Sequence, residues 1–195
     1  MTKSRLEAFS DGVVAIIITI MVLEIRAPHG NSLYDLQQLF PVFISYIMSF
    51  IFIGIYWSNH HHLLQAANKV NGKILWANLH LLFWLTLVPF VTAWMGENNF
   101  APSPVALYGV VLLFAAVAYS ILSHTLISLH GRKSSLASAI GGDFKGNISI
   151  IIYAAAIGLC FVSPWIAGAL YIAVAIMWLV PDRRIEKTIS DTASD

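Results

Sequence analysis

The chain has 195 residues, of which 58% are hydrophobic and 11% charged, with a mean hydropathy of +0.75 and a formal net charge of +1. Soluble globular domains carry charge on about a quarter of their residues, so this composition excludes that class and defines an integral membrane protein. The near-neutral balance, with no basic block interleaved with aromatics, excludes a nucleic-acid-binding surface, and a single cysteine, Cys160, excludes an intrachain disulfide or a cysteine-based metal cluster.

Six apolar segments follow one another, at about 6–26, 38–60, 74–96, 104–129, 147–163 and 165–181. A bilayer leaves no water to satisfy the backbone, so each is expected to be a helix and the fold to be all-α. The expected organisation is a single six-helix transmembrane domain over residues 1–181 and a polar cytoplasmic tail over 182–195.

The first segment carries Arg5, Ser10 and Asp11 at its mouth and is then almost purely apolar. Its run of about 20 residues is the length of a spanning helix rather than of a signal peptide, so it is read as retained. On a helix, Arg5, Phe9, Gly12, Ile16, Thr19, Ile20 and Leu23 fall within about 60° of one line, with Ser10 and Asp11 on the flanks. Any all-apolar helix yields such a stripe, so the stripe alone does not identify a pore. The charges say more, because an ionisable group costs about 2.5–3.5 kcal/mol at the centre of an inserted helix. Arg5 can snorkel to the interface. Asp11, two turns in, needs a partner, and the inner ends of the second and third segments offer Asn59, His60, His61, His62, Trp76 and Asn78.

The second segment ends in three consecutive histidines, His60 to His62. Imidazole is a common metal ligand, yet neighbouring helical residues diverge by about 100° and the His-x-x-x-His spacing of helical metal sites is missing, so no metal site is expected. A histidine bonded to Ser10 or Asp11 is the better reading. Glu24, at the outer end of the first segment, is expected to pair with Arg26 or an outer loop. "GGDFKGN" (141–147) reads as a turn in which Asp143 and Lys145 cap the fifth helix, and "SPW" (163–165) as a tight hairpin. Trp57, Trp94 and Trp165, near span ends, fit interfacial aromatic belts.

The basic residues fix the expected orientation, because cytoplasmic loops carry the excess of Lys and Arg. With both termini cytoplasmic, Lys3, Arg5, Lys69, Lys73, Arg132, Lys133, Lys145, Arg183, Arg184 and Lys187 lie inside and only Arg26 lies outside.

The arrangement Arg5, Phe9, Ser10 and Asp11, followed by "GVVAIIITIMVLEI", resembles the first-helix signature of the lysosomal and bacterial transmembrane protein 175 potassium channels. The resemblance continues through "YWSNHHHLL" (56–64) and "LVPF" (87–90) and covers the six-helix plan. It implies a bacterial inner-membrane homotetramer that conducts K+ and related monovalent cations, with no cofactor and no enzymatic activity. The first helices would line the pore, Ile16, Ile20 and Leu23 would match its aliphatic constrictions, and Thr19 would match the ring tied to potassium preference. Arg5, Phe9, Ser10 and Asp11, with His60, His61 and Asn78, would form a structural hydrogen-bond network. No carbonyl-lined "TVGYG" filter is present, so only modest selectivity is expected. The rivals are a proton-coupled secondary transporter using Asp11 and the second-helix histidines as a relay, and an intramembrane metal-dependent hydrolase. The first would want broken helices near the midplane and repeat symmetry, neither visible in the sequence. The second would want a convergent His/Asp/Glu set.

Overall fold

The computed structural model describes residues 2–131, 134, 137 and 144–179. Arg132, Lys133, Asp143, Arg183, Arg184, Lys187 and the tail 182–195 lie outside the described residues, as does the predicted cap at Asp143.

Among the described residues every regular element is a helix: α1 (Lys3–Leu23), α2 (Leu33–Gln37), α3 (Phe40–Gln65), α4 (Gly72–Thr86), α5 (Val88–Glu97), α6 (Pro102–His130), α7 (Phe144–Leu159) and α8 (Pro164–Leu179). Four runs are long and apolar enough to cross a bilayer: α1, α3, α4 with α5, and α6. The apolar helices α7 and α8 have 16 residues each, about 24 Å at 1.5 Å per residue.

Two departures from the expected segments have local causes. The five-residue α2 sits in what reads as an outer loop and is held by a capping box. The Ser32 hydroxyl accepts from the Asp35 amide at 3.2 Å, and Asp35 Oδ2 accepts from the Ser32 amide at 3.1 Å and the Ser32 hydroxyl at 2.5 Å. These bonds, the hydroxyl's first, favour the carboxylate and lower the pKa of Asp35. The expected third span, in turn, is broken between α4 and α5, so a helix discontinuity invisible in the hydropathy pattern does exist. Pro89 has no N–H to return to the carbonyl four residues back, and Leu87 closes α4 with a tighter bond to the Trp84 carbonyl at 3.2 Å. Leu87 keeps helical dihedrals, so the chain passes from α4 into α5 without unwinding.

The helices pack as α4 on α6, α6 on α7, α7 on α8 and α3 on α5, with α1 laid against α3, α4 and α5. Small side chains let the axes approach: Ala115, Ala118, Ala156 and Ala167 are fully buried. Ser49 of α3 bonds both Thr92 of α5, at 2.6 Å, and Tyr108 of α6, at 3.0 Å, so one buried hydroxyl cluster joins three helices. At the end of α6 the His130 Nδ1–H donates to the Leu126 carbonyl while Nε2 accepts the amides of Asn68 and Lys69 at 3.0 and 3.1 Å, clamping the α3–α4 turn. Cys160 is buried, with its thiol 2.9 Å from the Pro102 carbonyl.

At Gly96 α5 comes close to the backbone of α3: an added Cβ would lie 2.5 Å from Ser45 Oγ and 2.8 Å from Val42 Cα. Gly96→Ala is therefore expected to lower stability by about 1–3 kcal/mol through overpacking. Gly54, on α3 with nothing within 4 Å of such a Cβ, is the control. Thermal midpoints of the two alanine variants in detergent micelles test this, and equal midpoints would contradict the contact.

Candidate functional site: the two faces of the first helix

Leu6, Ser10, Val14, Ile17 and Met21 are the buried residues of α1, at spacings of three and four that trace one seam against α3, α4 and α5. Phe9, Gly12, Ile16, Thr19, Ile20 and Leu23 lie on the other side and are exposed. The division is sharp between neighbours: Ile17 is 2% exposed and Ile16 58%. Leu23 reaches 77%. The Thr19 hydroxyl donates to the Ile16 carbonyl at 2.9 Å, which leaves its oxygen lone pairs toward the uncovered side. Beside this strip runs a groove of about 520 Å³ between α1 and α5, lined by Ile16, Ile20, Pro89, Phe90 and Ala93 among others. Glu24, Arg26 and Glu97 line it too. Glu24 makes no ion pair with Arg26; the one ion pair among the described residues is Lys3 with Glu7 at 3.7 Å.

At the inner end a buried chain of bonds ties α1 to its neighbours. Ser10 donates to the Leu6 carbonyl at 2.9 Å, Asn78 Nδ2 donates to Ser10 Oγ at 3.0 Å, and Asn78 Oδ1 lies 2.7 Å from His60 Nε2. Since the Asn78 amide nitrogen is the donor to Ser10, its oxygen accepts, and His60 donates from Nε2. Ser10, Asn78 and His60 are 1%, 0% and 5% exposed, so the chain is closed from solvent.

The other members of the expected network stand apart from it. Asp11 accepts from the Trp57 indole at 3.0 Å, a partner absent from the expected set because Trp57 read as an interfacial belt residue. The missed signal was angular: Trp57 lies three residues before His60, on an adjoining face of α3. His61 stacks on Trp57 at 6.2 Å, Asn59 bonds its own helix at the Ile55 carbonyl, and Trp76 is exposed. Arg5 and Phe9 are exposed, and Arg5 makes no hydrogen bond or ion pair among the described residues. No direct hydrogen bond joins Asp11 to a histidine among the described residues. Nor do the histidines converge: among the described residues no three His, Cys, Asp or Glu side chains are grouped to hold a metal. His62 keeps a buried Nδ1 with no partner.

These helices and their polar inner fastening define a multi-pass membrane protein. The family model for the endosomal/lysosomal potassium channel TMEM175 matches residues 5–89. A potassium channel of Chryseobacterium sp. (strain P1-3) is 56% identical over 191 residues, 98% of this chain and 100% of that one. The crystal structure of a lysosomal potassium-selective channel TMEM175 homolog from Chamaesiphon minutus superposes with a TM-score of 0.80 at 29% identity, covering 91% of this chain and 96% of that one. The endosomal/lysosomal proton channel TMEM175 of Gallus gallus is 29% identical over 149 residues, 69% of this chain and 30% of the longer relative. The chain belongs to the TMEM175 family of ion channels.

Proposed function

We propose that the chain forms a potassium channel in a bacterial inner membrane, four copies surrounding one axis with the outward face of α1 lining it. The observation that carries this reading is the uncovered strip on a helix whose opposite side is packed: in a channel that strip meets water and ions. Each copy crosses the bilayer six times within residues 1–181, with both termini cytoplasmic. Rings of Ile16, Ile20 and Leu23 narrow the path and, when closed, exclude ions by dewetting. Thr19 oxygens replace part of the hydration shell once the path opens, which favours potassium modestly because potassium sheds water more readily than sodium. The Ser10–Asn78–His60 chain and the Asp11–Trp57 bond hold the inner end of α1 in place and do not contact the ion. No cofactor and no catalytic step enter this function.

The test is current through purified protein in planar bilayers with K+ on one side and Na+ on the other. Stepwise currents reversing toward the potassium potential are expected, and saturable proton-dependent uptake without such currents would refute the reading. Thr19→Val keeps the side chain's shape and removes its oxygen, so it is expected to move the reversal potential toward zero with the protein intact. An unaltered permeability ratio would remove Thr19 from the selectivity role.

A further inference from the structure

A second groove, of about 440 Å³, lies between α4, α6 and α7 on the side of the α3–α4 turn. Its lining is graded along α6. Ser128, Thr125 and His124 stand nearest the α6 terminus at His130, with Lys73 from the first turn of α4, while deeper the aliphatic Ile121 and Val117 of α6 and Ile150 of α7 predominate, with Ser120 among them. From Ser128 to Val117 is about 16 Å along the helix axis at 1.5 Å per residue. Among the described residues no acidic side chain lines the groove. The Lys73 ammonium has no carboxylate or hydrogen-bond partner among the described residues, and the Asn71 side chain caps the Ile74 amide, leaving the Gly72 and Lys73 amides at the positive end of α4. His124 Nδ1 lies 2.8 Å from the Ser120 carbonyl, which commits that nitrogen to its own helix and turns Nε2 away from it.

We infer that this groove binds one anionic phospholipid per subunit, its phosphate between Lys73, the first amides of α4 and His124, and an acyl chain along Ile121, Val117 and Ile150. Charge selects the occupant. A neutral lipid leaves the ammonium and the helix terminus unmatched, and a free phosphate leaves the aliphatic end in contact with nothing apolar. A positive pocket between helices at the membrane surface is the setting in which anionic headgroups are held. The inference is independent of ion conduction.

The test is native mass spectrometry of the full chain extracted from bilayers of equal phosphatidylglycerol and phosphatidylcholine, counting retained lipid. Retention is expected to favour phosphatidylglycerol several-fold and to fall at least threefold in Lys73→Gln and in His124→Leu. Lys69→Gln, on the same side and outside the groove, is expected to retain lipid like the parent. Soluble glycerol phosphate at millimolar concentration is expected not to displace the lipid. Equal retention of the two lipids, or equal losses in Lys69→Gln and Lys73→Gln, would overturn the inference. So would displacement by glycerol phosphate, which points to a phosphate site, or an Ile121→Cys variant that cross-links to a second copy, which points to a subunit contact.

Discussion

Ile16→Asn is expected to raise single-channel conductance several-fold while leaving the folded subunit intact. Ile16 is 58% exposed on its own chain and edges an open groove, so an amide there gives up far less burial than it would in the seam. In the proposed assembly it faces the axis, where a ring of amides holds water in a gap that a ring of isoleucines would dry. The matched control is one residue away. Ile17 is 2% exposed, and Ile17→Asn places an unpaired amide in the seam against α3, α4 and α5 while removing buried aliphatic surface, a loss of about 3–5 kcal/mol. Recording currents from the first variant and thermal midpoints from both checks the pair. Unchanged conductance with Ile16→Asn would place the constriction elsewhere, and a tolerated Ile17→Asn would contradict the seam.

Asn78→Ala is expected to be among the most destabilising single changes in the subunit. It removes the acceptor of His60 and the donor to Ser10 at once, and groups so buried cannot turn to water. Leaving each unsatisfied costs about 1–3 kcal/mol, so the loss is about 2–6 kcal/mol. Ser10→Ala made on the Asn78→Ala background then removes one of the stranded groups, and the double variant is expected to be less unstable than the two single losses added together. Thermal midpoints of the three variants decide it. Strict additivity would mean that Asn78 and Ser10 do not act through each other, despite the 3.0 Å bond between them.

The membrane class and the positions of the long helices were legible because hydropathy reports the solvent each segment sees. The expected segment 104–129 and α6 at Pro102–His130 differ by only two residues at the first end and one at the second. α2 was also within reach: Ser32 and Asp35 have the spacing of a capping box, yet five residues carry no hydropathy signal strong enough to prompt the search. The break at Leu87 was hidden for the opposite reason, since "LVPF" is as apolar as its surroundings and only the proline's missing donor interrupts the helix. For α1, the angular stripe named the exposed residues, but only packing against other helices shows which side of a wholly apolar helix is left uncovered. The partners of the inner polar groups divided along the same line. Ser10, Asn78 and His60 meet across three helices, which a list of nearby polar residues anticipates, whereas the indole that serves Asp11 was set aside as an interfacial anchor.

The two sides of α1 answer to different constraints. The seam through Leu6, Val14, Ile17 and Met21 is checked by every fold of the subunit, whereas Ile16 and Leu23 bury little of themselves in their own chain. A substitution on the uncovered side is therefore judged by assembly and by whatever passes along it, and hardly at all by the chain's ability to fold. Such a subunit can vary in its outward strip while its interior stays as it is, so one bundle can diversify what it admits without first relearning how to form.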